Sequence, residues 1–143
     1  MTQQFAKVLT NYIPSTLSVE VITLETDLIL FNLELIKEDS LNVDKINPVW
    51  PAYTPEENLI RAYNEELSII SWHRDAHEGY YPRRIVVWAN KIPPLIMNSD
   101  YSEELICKDN DMILIYNREA YHCMNPICKH CSDRWSRVVW LKD

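Results

Sequence analysis

Apolar residues in this chain come in short runs rich in Val, Ile, Leu and aromatics, several of them closed off by Asn, Asp or Pro. That pattern favours short paired strands over long helices, because strands need only a few residues between turns. Residues 17–24 alternate and are dense in β-branched side chains, and residues 27–37 continue in the same way. Two strands with a turn near Glu25, Thr26 and Asp27 are predicted there. A short helix is expected before the loop around Pro14. Residues 39–55 are rich in Asn, Asp and Pro and read as loop. Residues 54–57 resemble a helix start, with Thr54 as cap and Pro55 at the first position. The following segment, 58–63, fits helix or strand by pattern alone. Further strands are predicted over 67–73, 84–89, 104–107, 112–116 and 135–141. Residues 93–97 are expected at a sheet edge, because Pro93 and Pro94 cannot donate to a ladder. The sum is an all-β sandwich or barrel with little helix.

The chain has 143 residues, which fits a single domain (1–143). Residues 1–55 are read as supporting strands and a loop, and 56–143 as the core. A single glycine, Gly79, leaves the left-handed turn positions to Asn and Asp, with Asn64, Asn90, Asn98, Asn110 and Asn117 available. The formal charge of −7 counts against nucleic-acid partners, since phosphate-backbone affinity comes from Lys and Arg. No apolar stretch is long enough to span a membrane, and the first residues lack the pattern of a signal peptide. A cytoplasmic protein with reduced thiols is therefore expected.

The sharpest local feature is Trp72-His73-Arg74-Asp75. Residues two apart on a strand point to one face, so His73 and Asp75 would project together. A second imidazole from a distant strand would complete two histidines and a carboxylate, a set that leaves coordination positions open and suits non-haem iron(II). His77 is too close to His73 to come from a separate strand, and His130 sits among cysteines. His122 follows the apolar strand 112–116 and is the candidate, carried by a polar loop. Downstream, Arg134 and Ser136 would share a strand face. The Arg fork is matched to a carboxylate, and a buried Arg beside such a site needs an anion. Arg137, on the opposite face, is a second candidate for that role.

The order His-x-Asp, distal His, then Arg-x-Ser resembles the iron(II)/2-oxoglutarate-dependent dioxygenase superfamily, over roughly residue 58 to the C-terminus. The resemblance implies a double-stranded β-helix (jelly roll, cupin-like). It implies iron(II) held by His73, Asp75 and His122, and 2-oxoglutarate anchored by Arg134 and Ser136. It also makes 58–63 a strand, with Tyr63 matching a Tyr that contacts the cosubstrate carboxylate. The implied reaction hydroxylates a substrate, or oxidatively demethylates it, while dioxygen and 2-oxoglutarate become succinate and carbon dioxide. A carboxylate at Asp75 fits hydroxylation rather than halogenation. The substrate is expected to be a peptide, a protein side chain or a small molecule, with a nucleobase disfavoured by the charge.

Other readings rest on other residues. Cys123, Cys128 and Cys131, with His130 among them and Cys107 upstream, could hold zinc in an interaction module. A jelly roll that binds metal without catalysis is a further alternative. Trp88 and Trp135 are expected in the core. Trp72 should face away from His73, and Trp140 could line the pocket beside Arg134. Arg83-Arg84 is read as a solvated pair that could also meet an anionic substrate.

Overall fold

The apolar runs pair edge to edge in a computed structural model that describes residues 4–36, 61–63, 72–74, 83–123 and 134–141. In chain order these residues form β1 (Ala6–Asn11), α1 (Val19–Asn32), β2 (Arg61–Tyr63), β3 (Ile85–Ala89), β4 (Leu95–Met97), β5 (Glu104–Leu105), β6 (Asp111–Ile115), β7 (Tyr121–Cys123) and β8 (Arg134–Trp140). One sheet has five strands in the order β1-β6-β3-β8-β2, and a second has three in the order β5-β4-β7. Every pairing is antiparallel. The class is thus mainly β, with one helix among the described residues.

The pairing after residue 60 is nested. β2 pairs with β8, His73 bridges to His122, β3 pairs with β6, and β4 pairs with β5. Each rung lies inside the previous one, so the chain runs as one long antiparallel hairpin with its tip at residues 98–103. Successive rungs alternate between the two sheets.

β3 and β6 are buried at every position, which is why their sequences are continuous apolar runs rather than alternating ones. One face of the five-stranded sheet carries Val86, Trp88, Met112, Leu114 and Val139, packed with Ile22 and Leu30 of α1. Burying each of those two helix side chains contributes roughly 1.5–3 kcal/mol. The other face carries Ile85, Val87, Ile113, Ile115 and Trp140, packed with Ile96 of the small sheet and with Ala120.

Residues 19–32 form a helix where two strands were expected. Ser18 is extended, and its side chain accepts a hydrogen bond from Val21 N–H, which caps the first turn. Glu20 sits favourably against the positive end of the helix. At the other end Glu34 is left-handed (φ 61°), Glu34 N–H donates to Phe31 C=O, and Leu35 N–H donates to Leu30 C=O. This is the two-bond closure that glycine usually provides. Packing on the sheet overrides the β-branched composition, because Ile22, Thr26 and Leu30 recur at four-residue spacing on the buried side.

Three smaller expectations are corrected. Residues 6–11 form an edge strand on β6 rather than a helix. β4 is the central strand of the small sheet, because Pro93 and Pro94 precede the paired residues and no ladder donor is lost. Of the left-handed non-glycine residues described, only Asn110 (φ 70°) is an Asn; Glu34, Ile92 and Tyr101 are the others. Among the described residues no helix is long and apolar enough to cross a membrane, which says nothing of membrane β-barrels. The expected features at 39–55, 54–57 and 64–71 lie outside the described residues.

Candidate functional site

His122 is on β7, not in a loop. Ile96 pairs with it on one side, and His73 bridges to it on the other. His73 N–H donates to His122 C=O at 3.0 Å, and His122 N–H donates to His73 C=O at 3.0 Å. Residues that exchange both hydrogen bonds lie directly opposite and share a face. That face is the one occupied by Ile96, hence the interior between the two sheets. The imidazole centres are 4.3 Å apart, with their planes inclined at 57°. His122 is buried, and His73 is half-buried.

The β6–β7 turn fixes the His122 ring. Glu119 N–H and Ala120 N–H both donate to Tyr116 C=O, and the Ala120 side chain is fully buried. The carbonyl of Ala120 lies 3.0 Å from His122 Nδ1. A carbonyl can only accept, so Nδ1 carries the proton. In the neutral ring this puts the lone pair on Nε2, the arrangement seen when a histidine ligates a metal through Nε2. Neighbouring nitrogens on one metal ion, each bonded at about 2.1 Å, lie about 3 Å apart. Two rings with centres 4.3 Å apart are compatible with that spacing.

The register of β8 supplies the second part. Ser136, Val138 and Trp140 alternate along one face, and Val138 and Trp140 pack into the cluster between the sheets. Position 134 has the same parity. Tyr63 pairs with Arg134, and Arg61 pairs with Ser136, so positions 63 and 134 stand opposite each other on this face. Ser136 is buried. Asn90 extends the β3–β8 ladder, its Oδ1 accepting from Trp135 N–H at 2.7 Å and its own N–H donating to Trp135 C=O.

Arg137 lies on the other face, under α1. Its Nη1 is 2.6 Å from Asp27 Oδ1, and it also donates to Thr26 Oγ1 and to Thr23 C=O. Burial pulls the guanidinium pKa down, and the Asp27 charge pushes it back up. Arg137 is therefore part of the helix–sheet core and does not reach the interior where the histidines lie.

Asp75, His77, His130, Cys128 and Cys131 lie outside the described residues. Among the described residues, no group of three or more His, Cys, Asp or Glu side chains is placed to hold a metal ion. Cys107 and Cys123 are free thiols. Burial, aided by Asp111 and Glu104, pushes Cys107 up to about 11. Trp88 and Trp140 are buried, and Trp72 is 42% exposed. The Ala120 carbonyl has no counterpart in the sequence, because a backbone acceptor leaves no side-chain signal. No family model, no curated protein and no solved structure matches this chain.

Proposed function

We propose that the protein is an iron(II)- and 2-oxoglutarate-dependent oxygenase on a jelly-roll framework. His73, Asp75 and His122 would hold the metal. Arg134 and Ser136, with Tyr63, would anchor 2-oxoglutarate. The observation that carries this reading is the His73–His122 pair. Two histidines far apart in sequence meet on one interior face, with the His122 proton fixed on Nδ1. Asp75 follows His73 by two positions, the spacing that returns a strand residue to the same face.

Support for the framework comes from the nested pairing, since a long hairpin whose rungs alternate between two sheets is how a jelly roll is wound. Support for the anchor comes from the β8 register. An Arg position and a buried Ser share the face toward which the histidines point, and Tyr63 stands opposite Arg134. A dicarboxylate there would meet a fork of donors at one end and the metal at the other. Bound iron(II) would supply oxygen activation, with 2-oxoglutarate as the co-reductant that leaves as succinate and carbon dioxide. The protein's own part is to hold both groups in register and to keep water out of the inter-sheet space.

The test is anaerobic titration of metal-free protein with iron(II) and 2-oxoglutarate. A weak visible charge-transfer band is expected in the wild type and should be absent in His73→Ala. Failure of 2-oxoglutarate to bind in the presence of iron(II) would remove the oxygenase reading.

A further inference from the structure

The outer face of the small sheet gathers aromatic, sulfur-bearing and charged side chains: Trp72, Arg74, Tyr101 and Glu104 are exposed, Leu95, Met97 and Tyr121 half-buried, and Cys123 buried. The register sets them in two rows. Arg74, Tyr121, Met97 and Glu104 run across the sheet in one row, and Trp72, Cys123 and Leu95 in the next. These residues alternate with His73, His122 and Ile96, so they lie on the side away from the interior. The Arg74 guanidinium sits over the Tyr121 ring, 4.9 Å from its centre. Tyr101 stacks on Tyr121 at 4.8 Å and 27°, while remaining 65% exposed.

Tyr101 is held there against its own preference. Its φ of 62° is uncommon for a bulky residue. The β4–β5 turn enforces it: Asn98 Oδ1 accepts from Ser102 N–H and Glu103 N–H, and Tyr101 N–H donates to Asn98 C=O. An exposed ring that is already fixed loses little conformational freedom when something packs on it.

The charges indicate what that something is. Strands are about 4.8 Å apart, so positions 74 and 104, at opposite ends of a row crossing three gaps, are separated by about 14 Å. The Arg74 guanidinium rests on Tyr121, one strand in from its own, rather than against Glu104. A two-fold axis passing between Tyr121 and Met97 would place Arg74 of one molecule against Glu104 of another, twice, with the aromatic rings and Met97 between them. A row with a cation at one end, an acid at the other and an apolar middle is its own complement under that rotation. Tyr, Trp, Met and Arg are also the side chains enriched at protein interfaces.

We infer that the chain forms a two-fold dimer through the outer face of the small sheet, centred on Tyr121 and Met97. This contact lies on the opposite side of the sheet from the histidine pair and does not depend on the proposed chemistry. Sedimentation equilibrium over a concentration series tests it. A monomer–dimer equilibrium is expected for the wild type. Arg74→Glu should raise the dimer dissociation constant at least about tenfold, roughly 1.4 kcal/mol. Adding Glu104→Arg in the same chain should restore it, which separates the contact from a folding defect. Lys7→Glu, an exposed charge change on β1, should leave it unaltered. A wild type that stays monomeric to about 1 mM would overturn the dimer. So would an Arg74→Glu variant with an unchanged constant, or a double variant that is not rescued.

Discussion

On the α1 side of the five-stranded sheet, the buried charge is answered within the fold. Arg137 is only 2% exposed, and Asp27, Thr26 and the Thr23 carbonyl all meet it. On the side facing the small sheet, one residue away along β8, the polar groups belong to another pattern. Ser136 and position 134 lie on the face of β8 that looks onto the interior between the sheets, into which His73 and His122 project from the small sheet. One strand thus serves two purposes by parity alone. Its odd positions lock a helix to the sheet, and its even positions line the interior between sheets. The comparison teaches that a polar residue in the sequence of a buried strand has two readings, and that the residue opposite it decides between them.

The largest effect that could break this contrast is on the helix side. Asp27→Ala would strand a buried guanidinium, and removing one partner of a buried pair costs about 3–5 kcal/mol. Denaturant unfolding should show that loss, with α1 released first. Replacing both Asp27 and Arg137 by apolar residues should recover much of it. If Asp27→Ala costs less than about 1 kcal/mol, the pair is not what fastens the helix.

The interior side predicts a different signature. Arg134→Ala should weaken 2-oxoglutarate binding by about tenfold to a hundredfold, in keeping with the loss of a charge-assisted hydrogen bond of roughly 1.5–3 kcal/mol. Iron(II) affinity and unfolding midpoint should change little. Calorimetric titration of 2-oxoglutarate into the iron-loaded variant reads this directly. A variant that binds 2-oxoglutarate as the wild type does would mean the anchor is elsewhere.

Most strands after residue 84 were legible in the sequence because their signals were local: continuous apolar runs for β3 and β6, and a run ended by polar residues for β8; β7, three residues around His122, was not. His122 was singled out by elimination among the four histidines and expected in a loop, so its bridge to His73 on a strand carried no signal in the sequence. The helix was not legible either. Its buried side includes Thr26 and Asp27, which serve Arg137 far along the chain, while Leu24 and Leu28 are exposed. Each exchange blurs the helical stripe, and what remains looks β-branched. Left-handed Glu34, Ile92 and Tyr101 were equally invisible, because a shortage of glycine shows that turns must be made differently without showing where. Arg134 and Arg137 could be told apart only when the partner of each face was known.

The smallest predicted effect concerns Cys107, which borders the interior cluster beyond β5. Burial, with Asp111 and Glu104 nearby, raises its pKa from 9.0 to about 11. The charged form is the thiolate, so the folded state holds the proton more tightly than the unfolded chain. The resulting stabilisation is complete below the unfolded value. It declines once the unfolded thiol ionises and is lost as pH rises through about 11. Other groups titrate in this range, so the comparison is with Cys107→Ser. The wild type should lose stability more steeply than the variant between pH 9 and pH 11. Peptide mapping after iodoacetamide at pH 9 should also find Cys107 modified more than tenfold more slowly in the folded protein than in denaturant, because only the thiolate reacts. Equal alkylation rates would place Cys107 in water, and the interior on that side would then be open where the packing around Leu105 has it closed.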